Sequence, residues 1–217
     1  MNPFYFIGWS FYRLVFAVYF RWRVCNHEQV PLKGAVILAA NHASFLDPPL
    51  VGSGLHRDIN YLARKTLFRF PGLGWILRKV NAVPVDRDGG GAAGLRAIMD
   101  RLHAGGAIIL FPEGTRTRDG KLQPARSGIG LTVIKSDAPV VPVRVFGTYD
   151  AWGRHVRFPR PLPVVVNYGQ PMYFEQLRAE AKVCSKARLK EIYQEVADEI
   201  MAAIGKLEPC QDNQSFP

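Results

Sequence analysis

The sequence predicts an α/β fold, a mixed sheet flanked by helices, with an N-terminal membrane-interacting helical segment. Three observations predict it: short apolar runs bounded by turn residues, helical apolar periodicity between those runs, and an aromatic N-terminus with almost no polar side chains. The chain divides into an N-terminal membrane-associating segment (1–30), one α/β domain (31–207) and a polar tail (208–217). Its 217 residues, 48% hydrophobic and 21% charged, suit a single globular domain and exclude a disordered or collagen-like chain.

The N-terminal segment holds 10 of the 25 aromatic residues in its first 22 positions, and between Phe4 and Phe20 only Ser10 and Arg13 are clearly polar. No Lys or Arg precedes Arg13, as a secretory signal would require. The run is shorter than the roughly 20 apolar residues of a spanning helix and carries an Arg at its middle, so a helix lying in the bilayer interface is expected. Phe4, Phe6, Trp9, Phe11, Phe16, Phe20 and Trp22 would enter the membrane, Ser10 and Arg13 would share a wet face, and Arg21, Arg23 and Lys33 would meet anionic headgroups. A helix packed on the protein's own core is the competing arrangement.

The run 35–40 (AVILAA) reads as a strand buried on both faces, since its apolar residues do not alternate with polar ones. Further strands are expected at 59–63, 82–85, 107–111, 140–146 and 164–168, with helices near 66–79, 92–104 and 126–136. Leu189, Ile192, Tyr193, Val196, Ile200 and Ile204 recur at helical spacing and give a C-terminal packing helix one apolar stripe.

The 28 Lys and Arg outnumber the 18 Asp and Glu, a net charge of +10. Residues 1–170 hold 22 of the basic and 10 of the acidic side chains, so an anion-binding surface belongs before residue 171. Nucleic acid is not the expected partner, because no RRM, KH or zinc-finger signature accompanies the charge. Cys25, Cys184 and Cys210 are odd in number and lack CxxC spacing, which predicts three reduced thiols and neither a disulfide framework nor a zinc site.

Three elements carry candidate chemistry. The strand at 35–40 runs into Asn41, His42 and, five residues after the His, Asp47. A His at the end of a buried strand stands where α/β sheets place their sites, and an Asp accepting from Nδ1 leaves Nε2 free to take a proton from a hydroxyl. Pro48 also marks Asp47 as a helix N-cap. The second element, FPEGTRTR at 111–118, offers Gly-flanked backbone amides beside two guanidiniums, as a phosphate loop does, although a polar turn with solvated Arg side chains has the same composition. The third, 83–87 (VPVDR), ends a strand with an Arg whose fork matches phosphate.

Together these elements resemble the glycerolipid acyltransferase family, which acylates glycerol 3-phosphate and lysophosphatidic acid and includes the 1-acyl-sn-glycerol-3-phosphate acyltransferases. NHASFLD matches its NHxxxxD block, 81–87 the second block ending in Arg, FPEGTRTRDGKL the third, and Val141, Pro142 and Val143 the fourth. One departure is Ala125, Arg126, Ser127 and Gly128, where the family often has Phe-Lys-x-Gly.

The resemblance implies His42 as general base, Asp47 as its orienting partner, and Arg87, Glu113, Gly114, Thr115 and Arg116 as the acceptor-phosphate site. A carboxylate repels a phosphate, so a salt bridge by which Glu113 orients Arg87 or Arg116 is the alternative role for it. It implies acyl transfer from acyl-CoA or acyl-carrier protein to the sn-2 hydroxyl of lysophosphatidic acid, giving phosphatidic acid in phospholipid biosynthesis. No metal or bound cofactor is implied, and an anionic membrane surface at a cytoplasmic face is the expected setting, held monotopically or peripherally. Oxyanion donors are expected near Pro142. Another lysolipid acceptor, a membrane-bound thioester hydrolase and a non-catalytic anionic-lipid-binding protein are the rival readings. Gly89, Gly91 and Gly94 imitate a dinucleotide fingerprint, but Asp86, Arg87 and Asp88 intervene between strand and glycines, so a loop is the expectation there.

Overall fold

A computed structural model of the chain describes residues 2–85 and 92–210. Seven strands, β1 (Arg23–Cys25), β2 (Val36–Ala40), β3 (Ile59–Arg64), β4 (Ala82–Val85), β5 (Ala107–Leu110), β6 (Val140–Phe146) and β7 (Val165–Tyr168), form one sheet in the order β1-β7-β6-β2-β5-β3-β4. Every pairing is parallel except β6 with β7. The eight helices of the described residues are α1 (Pro3–Tyr19), α2 (Asp47–Ser53), α3 (Pro71–Lys79), α4 (Ala92–His103), α5 (Gly128–Lys135), α6 (Thr148–Trp152), α7 (Glu175–Ala181) and α8 (Lys186–Lys206). This is the expected mixed α/β architecture.

β2 lies at the centre and is buried along its whole length. Val36, Leu38 and Ala40 face one core with Phe16, Trp22, Leu50 and Tyr168, while Ile37 and Ala39 face the other with Leu102, Val133, Ile192 and Ile200. A strand covered on both faces has no polar side to alternate with, which is why its sequence reads as a continuous apolar run. Helices α1 and α2 thus lie over one face and α4, α5 and α8 over the other. Buried Arg57 ties the loops at the sheet's lower edge by donating to the carbonyls of Pro31, Gly34 (2.7 Å) and Gly105 (3.5 Å).

Several expectations are corrected. The single helix expected over 66–79 is a 3₁₀ turn (Lys65–Arg69) followed by α3, because Pro71 holds Phe70 in an extended conformation and starts a new helix. β1, α6 and α7 were not expected; at three to seven residues they are too short to show a period. Phe16, Phe20 and Trp22 are core residues at 0–2% exposure, not membrane-facing ones. The rings of Phe16 and Trp22 lie 5.5 Å apart against the sheet. Trp9 is half-buried and donates from Nε1 to the Leu55 carbonyl. Arg13 is not on a wet face: it lies 4.6 Å over the Trp9 ring and donates to the Ser53 carbonyl, and burial lowers its pKa. Phe4, Phe6 and Phe11 are exposed, as are Ile7, Leu14 and Val18. No helix of the described residues is long and apolar enough to cross a membrane.

The expectation of three thiols is also overturned. Cys25 and Cys210 are disulfide-bonded, and Cys184 is the free cysteine among the described residues. The 185-residue separation hid the pair. β1 pairs beside β7, and Asn167 of β7 donates to the Glu208 carbonyl at 2.7 Å, so the end of the chain is led back past Cys25. Arg87, Gly89 and Gly91, and the tail from 211 onward, lie outside the described residues.

The contact between α5 and α8 is set by Gly130, where a Cβ would fall on the Tyr193 carbonyl. Gly130→Ala must push two core helices apart and is expected to cost about 1–3 kcal/mol, lowering the thermal midpoint by about 2–4 °C per kcal/mol. Gly72→Ala, on an exposed turn of α3 where the added methyl meets open space, is expected to leave the midpoint unchanged or raise it. Equal midpoints for Gly130→Ala and the native chain would show that α8 does not pack on α5 this closely.

Candidate active site

The site forms beyond the C-terminal ends of β2 and β5, which pair directly, and is joined by the segment after β6 on the other side of β2. Asn41 fixes the exit of β2: its Oδ1 accepts from Val145 N–H at 2.8 Å and its Nδ2 donates to the Val145 carbonyl at 3.2 Å. The next residue, His42, therefore leaves the sheet at a fixed place. The Thr117 N–H donates to the His42 carbonyl at 2.8 Å, linking the two loops by backbone.

Asp47 is fully buried, and one oxygen, Oδ2, accepts from His42 Nδ1 (2.8 Å), Ala43 N–H (2.6 Å) and Ser44 N–H (2.7 Å). It is not the N-cap that Pro48 suggested. Leu46 occupies that position, α2 starts at Asp47, and the carboxylate turns back to close the loop behind it. A carboxylate receiving two backbone N–H groups is an acceptor, so the proton shared with His42 sits on Nδ1 and Nε2 keeps its lone pair. The imidazole is clamped from the side by Phe111, whose ring stacks on it with centroids 3.9 Å apart and planes 18° from parallel.

In the FPEGTRTR loop, Gly114 adopts φ +70°, and the Arg126 side chain packs where its Cβ would stand. Glu113 is buried and accepts from the His42 N–H at 3.4 Å. Burial, above all, pushes its carboxyl up to about 7, against the lowering effect of its backbone hydrogen bonds. The Arg116 guanidinium lies 3.5 Å over the ring of Phe45.

His42, Phe45, Thr115 and Arg116 line a cavity of about 600 Å³. Its remaining walls are mostly apolar and come from α1, α2, β3, the turn before α3, α3 and β4, with Tyr5, Trp9, Pro48, Leu62, Leu67 and Leu77 among them and Arg64 as a further cation. Tyr5 and Tyr61 share a 3.1 Å hydrogen bond in this wall, and burial raises both phenols, so both stay protonated. Of the residues singled out in the sequence, His42, Thr115, Arg116 and Trp9 meet at the cavity. Asp47 supports it from behind, Glu113 supports the His42 backbone, Gly114 and Arg126 stand off the lining, and Arg87 is outside the described residues. Val141, Pro142 and Val143 lie in the paired part of β6 beside β2 and do not line the cavity.

Sequence reasoning missed Asn41 as the bolt to β6 and missed Arg154 altogether. Arg154 lines the same cavity and donates from Nη2 to Thr115 Oγ1 at 2.6 Å. Its only signal is that Arg154, Arg157 and Arg160 recur at every third position in a stretch without acidic residues, a pattern that equally marks a solvated surface.

The chain is similar to known proteins across this same region. A family model described as Acyltransferase matches residues 21–146. The 1-acyl-sn-glycerol-3-phosphate acyltransferase of Bacillus subtilis (strain 168) is 32% identical over 126 residues, 58% of this chain and 62% of that protein. The protein of the same name from Limnanthes douglasii is 32% identical over 146 residues, 64% of this chain and 51% of that protein. This chain thus spans between half and two thirds of the length of these curated relatives. The crystal structure of the 1-acyl-sn-glycerophosphate (LPA) acyltransferase PlsC from Thermotoga maritima superposes with a TM-score of 0.72 at 25% identity, covering 95% of this chain and 81% of that one. The match to the family model covers more than half of the sequence and contains the His42 and Asp47 pair and the FPEGTRTR loop; the chain belongs to the acyltransferase family.

Proposed function

We propose that the protein transfers an acyl group from an acyl thioester, acyl-CoA or acyl-carrier protein, to the sn-2 hydroxyl of 1-acyl-glycerol 3-phosphate, giving phosphatidic acid. One observation carries this reading: a His42 held by Asp47 opens onto a cavity that has Thr115 and Arg116 for a phosphate and apolar walls for hydrocarbon. Names of relatives that act on the same lysolipid support it.

In the proposed reaction the acceptor hydroxyl gives its proton to Nε2 of His42 as its oxygen bonds to the thioester carbonyl carbon. The resulting imidazolium is stabilised by Asp47, and it returns the proton to the thiol leaving group as the carbon–sulfur bond breaks. The enzyme ends unchanged and needs no oxidant, reductant or covalent intermediate. Asp47 never touches the substrate; it is a positioning residue that fixes the tautomer. Arg116 neutralises part of the phosphate's charge, and the ring of Phe45 holds its guanidinium in place.

The lysolipid is held by a bilayer, so we place the reaction at an anionic membrane surface. The exposed face of α1, with Phe6, Ile7, Phe11, Leu14 and Val18, supports a seat there. The face opposite is already spent on the core through Phe16 and on the cavity wall through Tyr5 and Trp9.

Acyl transfer to lysophosphatidic acid in mixed micelles, followed by free thiol and lipid product, tests the reaction. The native chain is expected to form phosphatidic acid, and His42→Ala to lose about 10²–10⁴-fold in rate while keeping its fold. Thiol release without lipid product would mean a hydrolase, and no thiol release from either donor by protein that still binds vesicles would mean a lipid-binding protein without this chemistry.

For the membrane seat, the double variant Phe6→Ser and Phe11→Ser is expected to bind vesicles containing anionic lipid at least about tenfold more weakly, since each ring forfeits on the order of 1 kcal/mol of apolar burial. Phe16→Ala is expected instead to lower the melting midpoint, as Phe16 is a core residue. Unchanged vesicle binding by the double variant would remove α1 from the membrane contact.

Glu113 gives the site a pH signature. Its folded-state pKa of about 7 lies above the ordinary 4.5, so the folded protein binds a proton that the unfolded chain releases between those values. The stability this confers is fully present below pH 4.5 and is lost as pH rises through about 7. Glu113→Gln keeps an acceptor for the His42 N–H and removes the titration. The melting midpoint of the native chain is expected to fall relative to that of the variant between pH 4.5 and 7.5; parallel curves would mean that Glu113 does not titrate in this window.

A further inference from the structure

Residues 148–155 lie beyond the four sequence blocks, yet they are fastened to both active-site loops. Ser44 Oγ–H donates to the Trp152 carbonyl at 2.7 Å, tying α6 to the loop that carries His42 and Asp47. The Tyr149 hydroxyl donates to the Arg118 carbonyl at 2.7 Å, tying α6 to the FPEGTRTR loop. The ring of Tyr149 also covers Gly120, where a Cβ would come within 2.9 Å of it, and packs 4.4 Å from His155. The chain enters α6 through Gly147 at φ +76° and leaves it at Gly153, whose N–H donates to the Tyr149 carbonyl at 2.8 Å. Arg154 is the first residue past this fixed turn.

From there the Arg154 side chain returns to the cavity and donates to Thr115 Oγ1 at 2.6 Å. That contact engages one of its five N–H donors. It forms no ion pair with a carboxylate among the described residues. Arg154, Arg116 and Arg64 line one cavity together, and guanidiniums gathered on one space favour an anion there.

We propose that Arg154 is a phosphate-binding residue, the guanidinium that holds a phosphomonoester dianion jointly with Arg116 and Thr115. The proposal deepens the acyl-transfer reading and rests on it for the identity of the ligand. A second forked donor on the phosphate, beside Arg116, restricts the orientation of the glycerol and hence which hydroxyl reaches His42. It also makes α6 the element that distinguishes phosphorylated from unphosphorylated acceptors. The hydroxyl of Thr115 holds Arg154 in place before the ligand arrives, so little side-chain freedom is lost on binding.

The test uses 1-hexanoyl-sn-glycerol 3-phosphate, soluble as a monomer, and its unphosphorylated counterpart 1-hexanoyl-sn-glycerol. Binding is measured by calorimetry, and acyl transfer to each is measured alongside, for the native chain, Arg154→Ala, Arg154→Lys and Arg157→Ala. Arg154→Ala is expected to weaken binding of the phosphorylated compound by about tenfold or more. It should raise KM for that acceptor with little change in kcat, and leave transfer to the unphosphorylated acceptor as it was. Arg154→Lys should restore part of the loss, and Arg157→Ala should match the native chain. Native-like binding by Arg154→Ala would overturn the proposal, as would an equal loss from Arg157→Ala or an equal loss on both acceptors. A native chain that fails to bind the phosphorylated compound would overturn it too. Arg154-dependent binding without any lipid product would keep the phosphate site and refute the acyl-transfer reading alone.

Discussion

Three hydrogen bonds to a single oxygen organise this site. Asp47 Oδ2 gathers the His42 ring and the backbone N–H groups of Ala43 and Ser44, all at 2.6–2.8 Å, with no exposure to solvent. A buried carboxylate is costly unless its charge is met, and here two backbone dipoles and an imidazole N–H meet it. The same bonds force residues 42–47 into a tight loop, so the chemistry and the backbone conformation have one cause. The orientation of His42, the direction of α2 and the placement of Phe45 beneath Arg116 all follow from that closure.

The sheet decides what the loop faces. β2 is central and pairs in parallel with β5 on one side and β6 on the other, so the chain leaves all three strands on one edge. His42 follows β2, Thr115 and Arg116 follow β5, and Arg154 follows β6. Short hydrogen bonds between these exits, from Thr117 N–H to the His42 carbonyl, from Ser44 to Trp152 and from Tyr149 to Arg118, lock them together. His42, Arg116 and Arg154 are thereby held in register by parallel strands and by bonds outside their own side-chain tips, the rigid support that positioning of a site requires.

The parts of this arrangement that were legible in the sequence have strong local signals. β2, β4 and β6 appear as apolar runs with clear ends, α8 as a long amphipathic stripe, and His42, Asp47 and Arg116 within compact motifs. The illegible parts are set by contacts distant along the chain. Asp47 looked like a cap because Pro48 follows it, and only the backbone turn at Ala43 and Ser44 shows where its carboxylate points. Trp22 looked membrane-facing until β1 carried it under the sheet. Cys25 and Cys210 meet because β1 and the end of the chain lie against opposite ends of the same residue, Asn167: it pairs with Cys25 across the ladder and donates to Glu208. Arg154 had no motif, because its place is made by α6, a helix too short to announce itself.

The N-terminal helix joins the site to its surroundings. Tyr5, Gly8, Trp9 and Tyr12 of α1 line the cavity, whereas Phe6, Ile7, Phe11, Leu14 and Val18 of the same helix are turned to solvent. An α-helix with its side chains is about 10–12 Å across, so one helix width separates the apolar wall of the cavity from the apolar outer surface. Arg13 is bound to Ser53 at the end of α2, and Trp9 to Leu55 just beyond it, which fixes α1 to the helix that begins at Asp47. Aromatic residues serve both sides because they bury large apolar area and still offer polar atoms, as the Trp9 indole does to Leu55. The dense aromatic content of the first 22 residues is accounted for by this double duty: the inward rings build core and cavity, and the outward rings remain available to a lipid surface.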